Sequence, residues 1–321
     1  MIKIAFIVSG LIGRKKAVLA DIYRHFSNDT LLSYQVFETQ YAQHAEALAK
    51  QVFEQGFEYI VSVGGDGTLN EVVNGVFNAC RLPGTGQPQY DIERLKQCKL
   101  GVYPAGSGND FSRTIRMRPN ALELKRLIRE KQYSLIDMGI GSFRPLNGEE
   151  TGWRIFANVT DVGMGGAATF YLAKIKSKSW LTPTLQYAKA IVKTFLSYRK
   201  QEVAFTGTNL SWQGKLMSLV MANGKYFGSG LGIAPHAELN NGQLSVVILG
   251  NVTLRHYISY LPKLRQCKII DNPEIKYFND EEIDIRSLEA PLYMQMDGEL
   301  VGTTPARVSV VKQCIYFLVP Q

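Results

Sequence analysis

The sequence predicts an α/β domain with a parallel sheet, followed by a mainly antiparallel β-sandwich domain with helical insertions. Up to about residue 129, strand-like runs alternate with segments of helical periodicity, which is typical of a parallel sheet covered by helices. From Gln132 onward the alternation stops, and short β-branched runs follow one another with brief turns. Because 321 residues are enough for two domains, we expect a first domain at 1–133 and a second at 134–321, whose last strand is able to return towards the first.

The segments of the first domain follow this alternation. Strands are predicted at Ile2–Val8, Tyr34–Glu38, Tyr59–Val63 and Lys99–Tyr103, and helices at Arg14–Phe26, Tyr41–Gln55, Leu69–Ala79 and Leu122–Arg129. In a parallel sheet of this kind, ligands bind at the carboxyl ends of the strands. The turn at Ser9–Gly13, Thr39 after the second strand and the glycine-rich turn after the third are therefore expected to share one edge.

The second domain is predicted mainly from strands. They are expected at Ser134–Ile140, Trp153–Asp161, Val203–Phe205, Lys215–Ala222, Leu244–Leu249, Lys268–Phe278, Leu292–Met296, Arg307–Val311 and Ile315–Val319. Helical patterns interrupt them at Gly163–Tyr198 and Leu254–Leu264. Most of the strands alternate or are rich in β-branched residues, which favours an antiparallel sandwich or barrel.

A glycine-rich turn follows the strand Tyr59–Val63. It consists of Gly64–Gly67, and Thr68 and Glu71 then have the spacing of a capping box that starts a helix. Strand, glycine turn and helix N-terminus together predict a phosphate cradle, because the backbone approaches the ligand closely and free N–H groups point at the anion. The carboxylate of Asp66 is explained if Mg²⁺ lies between it and the phosphates. The turn is not a Walker A loop, and an ordinary capped turn is the structural alternative.

A second turn of this kind follows the strand Lys99–Tyr103. The chain continues through Pro104 into Gly106-Ser107-Gly108-Asn109-Asp110-Phe111, which opens a helix. An ordinary helix start explains this turn alone equally well. Two glycine turns at one sheet edge favour a phosphate site more strongly than either turn does separately.

Charge and cysteine content narrow the possible partners and compartment. A net charge of +8 and a pI of about 9.2 favour an anionic partner such as a nucleotide, a nucleic acid or an acidic membrane surface, although such basicity also simply aids solubility. The four cysteines have no metal-binding spacing and predict buried free thiols of a reducing compartment. No run reaches the roughly 18 apolar residues of a membrane span, and Ile2–Ile12 is predicted as a strand and turn. We expect a cytoplasmic protein that touches a membrane only peripherally.

A basic amphipathic stretch at 174–200 is the candidate membrane contact. Its basic residues accompany aromatic and aliphatic ones at helical spacing, notably Lys189 and Lys193 with Tyr187 and Phe195. Such a helix can lie on an anionic bilayer surface. The structural alternative is a surface helix that packs its apolar face on its own domain.

Four motifs, taken in order, resemble those of a known family. They are Gly64-Gly65-Asp66-Gly67-Thr68-Leu69-Asn70-Glu71, Gly106-Ser107-Gly108-Asn109-Asp110-Phe111, Asp137-Met138-Gly139 and Asp297-Gly298-Glu299. Together they resemble the diacylglycerol kinase catalytic superfamily, most closely its soluble bacterial lipid kinases, with relatives among sphingosine and ceramide kinases. The first motif alone also fits relatives of NAD kinase and phosphofructokinase. The fold implied is an NAD kinase-like α/β domain followed by a β-sandwich.

The resemblance implies ATP- and Mg²⁺-dependent phosphorylation of a lipid hydroxyl, with diacylglycerol as the first candidate and a sphingoid base as the second. It implies no nucleic-acid partner. Glu299 matches the proton acceptor and is expected to be catalytic together with Asp66, and Asp66, Asp110 and Asp137 are expected to hold Mg²⁺ and phosphates. The expected nucleotide contacts are Thr39, Gly64, Gly65, Asp66, Gly67, Thr68, Leu69, Asn70, Glu71, Ser107, Asn109 and Asp110.

The chain departs from the family at two places. The first turn keeps only Ser9-Gly10 of the usual Asn-Pro and Ser-Gly pattern. In the loop at 235–244, the family binds a structural Mg²⁺ through an Asp and two backbone carbonyls, which would be those of Glu238 and Gln243. This chain has Asn241 at the Asp position, and because a neutral amide is a weaker ligand for a hard cation, we expect weak or no Mg²⁺ binding there.

Other interpretations stay open at the level of sequence. Asp297-Gly298 is a hairpin signal, so Glu299 is a solvated turn residue if the resemblance is set aside. An NAD kinase-like enzyme and a catalytically weak nucleotide- or membrane-binding protein are the competing functions, the latter suggested by Asn240-Asn241. The lipid and the oligomeric state are open, with a homodimer as one option.

Overall fold

The computed structural model describes residues 1–27, 29–148, 150–175 and 192–320. The chain divides into two compact units, one formed by Met1–Met138 with Lys312–Gln321 and the other by Gly139–Val311. The units change over at 138/139 and 311/312, whereas the sequence suggested a domain change at 133/134. The first unit is α/β and the second is mainly antiparallel β, which confirms the fold class expected from the sequence.

The first unit is built on a parallel sheet. Its strands are β1 (Ile2–Val8), β2 (Leu32–Glu38), β3 (Tyr59–Gly64) and β4 (Lys99–Pro104), with the end of β17 (Glu299–Leu318) added beside β4. The strand order is β17-β4-β3-β1-β2, and every neighbouring pair is parallel. Its helices are α1 (Lys15–Phe26), α2 (His44–Glu54), α3 (Asp66–Ala79), α4 (Ile92–Leu95), α5 (Asp110–Thr114) and α6 (Ala121–Arg129).

The core of the first unit lies between this sheet and its helices. Every residue of β3 is buried, as expected for a central strand covered on both faces. The buried faces of α2 and α3 carry apolar residues at helical spacing, such as Leu48 and Val52 on α2 and Val73 and Val76 on α3. The sheet edge at the carboxyl ends of β1, β2, β3 and β4 is therefore supported by a packed scaffold.

The second unit is a β-sandwich with helical insertions. Its strands are β5 (Tyr133–Arg144, whose first residues belong to the first unit), β6 (Gly152–Phe156), β7 (Val159–Gly163), β8 (Gln201–Gly207), β9 (Ser211–Leu216), β10 (Ser218–Ala222), β11 (Tyr226–Phe227), β12 (Leu231–Gly232), β13 (Leu244–Leu249), β14 (Ile275–Asp280), β15 (Glu282–Ser287) and β16 (Tyr293–Met296), together with the first part of β17. Helix α7 (Met164–Ile175), helical residues 192–197 and helix α8 (Leu254–Arg265) interrupt them.

Antiparallel pairing dominates this unit. The order β14-β13-β10-β7-β16-β17 forms its main ladder, and β15 joins β17 to β8 and β9. Inward-facing residues such as Phe156, Met221, Ile285 and Val308 make one core cluster, and a second lies under α8. The sandwich follows from the alternation of apolar and polar residues along these strands.

Several strand boundaries differ from the expected ones. The predicted strand Trp153–Asp161 is two strands, because the backbone N–H groups of Ala157 and Asn158 turn away to the carboxylate of Asp297. The last two predicted strands are the single strand β17, and β15 was not predicted. Strand β14 covers only the end of the predicted run Lys268–Phe278.

Candidate active site

The carboxyl edge of the parallel sheet brings the predicted turns of the first unit together. Thr39 donates its backbone N–H to the carbonyl of Val8 at 2.9 Å, and its side-chain oxygen accepts the N–H of Gly10 at 3.0 Å. Ser9 donates its N–H to the carbonyl of Val63 at 2.9 Å. The turns after β1, β2 and β3 are thus joined by hydrogen bonds, as expected for neighbouring parallel strands.

Asp66 connects the two glycine-rich turns. It is the first residue of α3, after Gly65 as N-cap. One carboxylate oxygen accepts the backbone N–H of Asp110 and the other that of Phe111, both at 3.1 Å. These N–H groups stand at the start of α5, where a helix leaves its donors unpaired and a negative charge is stabilising. The carboxylate therefore fixes the second turn against the first.

The backbones of the two glycine turns touch. Ala105 donates its N–H to the carbonyl of Gly64 at 2.8 Å. A Cβ atom built on Gly106 would lie only 2.3 Å from Cα of Gly65, so this approach requires glycine. Asn109 closes the second turn in a left-handed conformation (φ 54°), and its side-chain amide bonds both the N–H and the carbonyl of Gly106 at 3.0 and 2.8 Å.

Only part of the predicted nucleotide motif is accessible. Gly65 to Thr68 are half-buried at the start of α3, and Ser107 is exposed at the tip of the second turn. Leu69 is 2% exposed and Asn70 0% exposed, and the N–H of Leu69 is already bonded to the carbonyl of Gly65. The side chains of Leu69 and Asn70 therefore belong to the interior, and the surface that a nucleotide can reach is the backbone of the turn with Asp66 and Thr68.

The predicted capping box at Thr68 and Glu71 is wrong. Helix α3 begins at Asp66, and its N-cap makes no side-chain hydrogen bond. The carboxylate of Glu71 instead accepts the backbone N–H groups of Gln43 at 3.1 Å and Ala45 at 3.0 Å, at the start of α2. Glu71 therefore caps the neighbouring helix, and both of its oxygens are used within the fold.

A cavity of about 550 Å³ lies beside the second glycine turn. It is lined by the first turn and the start of α1, with Ile12, Gly13 and Arg14, and by Tyr103 to Gly106 with Asn109. This volume falls within the range of small-molecule sites. Arg14 supplies a positive charge to the lining, so the cavity suits an anionic ligand.

The three aspartates predicted to hold Mg²⁺ do not form one cluster. Asp137 is fully buried, and one of its oxygens accepts the N–H of Gln313 at 2.7 Å. Asp110 is 6% exposed and lies 3.9 Å from Arg113. Within the described part of the chain, no group of three His, Cys, Asp or Glu residues is arranged to hold a metal ion. The donor set instead fits a Mg²⁺ ion that arrives on nucleotide phosphates and takes one or two carboxylates, which is how Mg²⁺ is usually bound.

The loop around Asn241 closes on itself. Asn241 is exposed, and its side-chain oxygen accepts the N–H of Gln243 at 3.0 Å. This is the local turn that an Asn side chain commonly makes. The amide oxygen of Asn241 is thus partly engaged within the loop, and weak or absent Mg²⁺ binding at this loop stays a prediction.

Glu299 follows a tight hairpin in the second unit. Asp297 (φ 48°) and Gly298 (φ 87°) form the two-residue turn between β16 and β17, which confirms the predicted hairpin. The carboxylate of Asp297 accepts the N–H groups of Ala157, Asn158 and Val159 at 2.8 to 3.0 Å. Glu299 is the exposed first residue of β17, so its backbone is fixed while its side chain is accessible.

Sequence reasoning missed a buried carboxylate in the second unit. Asp161 on β7 is 1% exposed, accepts the N–H of Gly166 at 3.1 Å near the start of α7, and accepts a hydrogen bond from the hydroxyl of Ser218. Burial raises the pKa of Asp161 to about 6. It was predicted only as the end of a strand, because its side-chain partner Ser218 lies 57 positions away in the sequence.

The basic stretch at 174–200 is described only at its ends. Lys174 lies over the ring of Phe170, with Nζ 4.2 Å from the centroid, and Lys193 lies over the ring of Tyr171 at 5.1 Å. Residues 176–191, including Lys189 and Tyr187, lie outside the described residues. Among the helices of the described ranges, none combines the length and apolar character needed to cross a membrane. The four cysteines are all unpaired, and all but Cys267 are buried.

Two family models match the chain in succession. Residues 6–140 match the diacylglycerol kinase catalytic domain, and residues 161–319 match the YegS C-terminal NAD kinase beta sandwich-like domain. The first match contains both glycine turns, and the second contains the hairpin at Asp297. Together the two models account for most of the sequence.

Individual relatives agree with these models. A diacylglycerol kinase of Staphylococcus carnosus (strain TM300) is 25% identical over 285 residues, which is 89% of this chain and 84% of the relative. The fold is similar to a crystal structure of a diacylglycerol kinase from Bacillus anthracis str. Sterne, with a TM-score of 0.68 at 17% identity over 99% of this chain and 97% of that one. It is also similar to yeast NADH kinase complexed with NADH, with a TM-score of 0.53 at 8% identity over 100% of this chain and 84% of that one.

Proposed function

We propose that this chain, which belongs to the diacylglycerol kinase catalytic superfamily, transfers the γ-phosphoryl group of ATP to the hydroxyl group of a lipid alcohol. Membership makes it a lipid kinase by family. Diacylglycerol is our first candidate substrate because the 25% identical relative is named a diacylglycerol kinase. A sphingoid base is the second candidate.

The observation that carries the ATP site is the contact between the two glycine turns. Backbone N–H groups at the start of α3 and the exposed Ser107 lie at one sheet edge, which Asp66 holds together through its bonds to the start of α5. Helix N-termini and glycine turns bind phosphates in this way. We assign the phosphates to this edge, and the cavity beside Arg14 to the rest of the nucleotide.

Mg²⁺ would be held by the ATP phosphates together with Asp66 and Asp110. When bound, it neutralises the charge that develops on the transferred group. The hydrogen bonds that the carboxylate of Asp66 accepts from the N–H groups of Asp110 and Phe111 also fix the second glycine turn, against which the phosphates would lie. Asp137, which is fully buried and bonded to the backbone of Gln313, would act through the structure around the site.

Glu299 is our candidate for the proton acceptor. The lipid hydroxyl must lose a proton as it attacks phosphorus, and a positioned carboxylate contributes roughly 10²- to 10⁴-fold to such a step. The hairpin that precedes Glu299 is fixed by three backbone hydrogen bonds to Asp297. That rigidity supports a role in positioning the base, which a loosely held surface residue would lack.

A lipid substrate implies transient contact with an anionic membrane surface. Lys174 and Lys193, with the rings of Phe170 and Tyr171, supply the basic and aromatic groups that such contact uses. Unpaired thiols fit the reducing cytoplasm. We propose a cytoplasmic enzyme that binds membranes peripherally, and a homodimer is the oligomer to look for first.

An NAD kinase activity is the second candidate. The similarity of the fold to yeast NADH kinase favours it, because that structure holds NADH. The sequence comparisons favour a lipid acceptor, since the matched catalytic model is that of diacylglycerol kinase.

One assay separates these candidates. The protein is incubated with ATP labelled at the γ-phosphate, Mg²⁺ and either detergent-dispersed extracted lipids or NAD. We expect the label in a chloroform-soluble lipid phosphate and none in NADP. Label in NADP would replace the lipid reaction with the NAD reaction, and label in neither acceptor would leave a nucleotide-binding protein without kinase activity.

A further inference from the structure

A second cavity, of about 400 Å³, lies entirely within the second unit. Most of its wall consists of strand segments, with Thr151 just before β6 as the exception: Ser142 to Arg144 on β5, Trp153 on β6, Asp284 to Arg286 on β15 and Pro305 to Arg307 on β17. None of these residues belongs to the sequence motifs of the kinase reaction. The volume is that of a site for a small ligand or a lipid headgroup.

The polar lining follows from the alternation of β15. Ile283 and Ile285 belong to the buried core, so Asp284 and Arg286 lie on the opposite face of the strand. The backbone of Asp284 is paired with that of Arg307, and Ser142 accepts the N–H of Arg307 with its hydroxyl at 3.2 Å. Strand pairing therefore holds the cavity wall in a fixed register.

The arginines of this cavity are not equally neutralised. Arg307 pairs with Glu282 and lies 3.8 Å from Asp284, so its charge is compensated within the fold. Arg144 and Arg286 make no ion pair with any residue that the structure describes, and both are exposed. Two uncompensated guanidinium groups at one cavity match a ligand with a double negative charge.

A phosphate monoester has that charge. It carries about −1.5 to −2 at neutral pH and has three acceptor oxygens, whereas a carboxylate or a phosphate diester carries a single charge. Guanidinium groups bind phosphate through paired hydrogen bonds. The half-buried ring of Trp153, whose backbone pairs with Ser142, adds an apolar wall for the carrier of the phosphate.

We propose that the cavity between Arg144, Trp153 and Arg286 binds a phosphate monoester. Two sources share this chemistry: a soluble phosphomonoester and the headgroup of a phosphorylated lipid. The proposal is independent of the kinase reaction, because neither arginine belongs to the machinery proposed above.

The test measures binding by the wild type and by the double variant Arg144→Gln with Arg286→Gln. Glycerol 3-phosphate is titrated calorimetrically, and vesicles of neutral lipid containing phosphatidate are used for sedimentation. Vesicles with phosphatidylglycerol, a diester, are the matched lipid control. Arg255→Gln, at an exposed position on α8 of the same unit, is the control variant.

We expect the double variant to lose affinity at least about tenfold, since both arginines contribute charge-assisted hydrogen bonds to the phosphate. The affinity of Arg255→Gln and the kinase activity of both variants should stay unchanged. Binding of glycerol 3-phosphate that needs the two arginines supports a soluble ligand. Arginine-dependent binding to phosphatidate vesicles, without binding of glycerol 3-phosphate, supports the headgroup of a phosphorylated lipid. Equal affinity of the wild type and the double variant, or no binding of either phosphomonoester by the wild type, overturns the proposal.

Discussion

Asp66-Gly67 in the first unit and Asp297-Gly298 in the second are the same dipeptide in two backbone settings. Both aspartates use their carboxylates to accept backbone N–H groups from another loop of their own unit. The first pair opens a helix after a strand, whereas the second closes a hairpin with two positive φ angles.

The two settings lead to different chemistry. At the start of α3 the first N–H groups of the helix would face the phosphates of the proposed site, and the side chains of Leu69 and Asn70 are buried. In the hairpin the turn uses its own donors, since Gly298 gives its N–H to the side chain of Gln295 at 2.8 Å. The hairpin therefore fixes the backbone of the next residue, Glu299, while its side chain stays exposed. We expect substitutions in the first setting to affect nucleotide binding and those in the second to affect the chemical step.

Glu299→Gln is the change with the largest expected effect. It keeps the size of the side chain and removes the proton acceptor, so turnover should fall roughly 10²- to 10⁴-fold. ATP affinity and melting temperature should stay near those of the wild type, because Glu299 is exposed. The measurement is steady-state turnover on the best lipid substrate, and turnover equal to that of the wild type would return Glu299 to an ordinary turn residue.

Asp297→Ala tests the support of that hairpin. It leaves three buried backbone N–H groups without their acceptor, and the free energy of unfolding should fall by about 3 kcal/mol or more. Asp297→Asn is the matched control, since Asn tolerates positive φ and keeps one oxygen acceptor. Denaturant unfolding should rank wild type, Asn and Ala in decreasing stability. An Ala variant as stable as the Asn variant would show that the carboxylate bonds contribute little.

What could be predicted from the sequence depends on whether the interacting residues are neighbours in the chain. The cradle and the hairpin were predicted because strand, glycine and helix signals lie next to one another in the chain. The role of Glu71 could not be predicted, because its partners at Gln43 and Ala45 are brought close only by the packing of α2 on α3. The same holds for the hydrogen bonds of Asp66, which reach residues more than forty positions away; its predicted role as a Mg²⁺ ligand stays a prediction. Local patterns fix elements, whereas long-range packing decides the partner of each carboxylate.

Asp161 extends the comparison to a buried carboxylate beside a helix start. Its pKa of about 6, raised by burial from 3.8, means that the folded protein holds this proton more tightly than the unfolded chain does. The free energy of unfolding should therefore decrease as the pH rises from about 4 to 6, by on the order of 3 kcal/mol, and this contribution should then level off.

Asp161→Asn should abolish that decrease, because the amide can bond Gly166 and Ser218 without ionising. Urea unfolding from pH 4 to pH 7 measures it, with the exposed Asp271→Asn as control. An unchanged pH profile in Asp161→Asn would show that this group ionises normally in the fold.

Asn241→Asp has the smallest expected effect. It restores a carboxylate to a loop that now closes through its own amide. Mg²⁺ should raise the melting temperature of the variant and leave the wild type unchanged, and at ten times the dissociation constant the gain is about 1.4 kcal/mol. Asn240→Asp, one residue away, is the control. A Mg²⁺-dependent gain in the wild type without nucleotide would contradict the expectation of weak or no Mg²⁺ binding at Asn241.

The claim that the glycine turns of the first unit bind ATP is tested most directly by calorimetric titration of ATP with Mg²⁺ into Gly67→Asp, with Glu299→Gln as the matched comparison. A carboxylate at position 67 would stand in the phosphate path and repel the anion. We expect Gly67→Asp to bind ATP at least about tenfold more weakly, a loss of about 1.4 kcal/mol or more, while Glu299→Gln binds ATP like the wild type. A Gly67→Asp protein that is folded and binds ATP as tightly as the wild type would contradict the account.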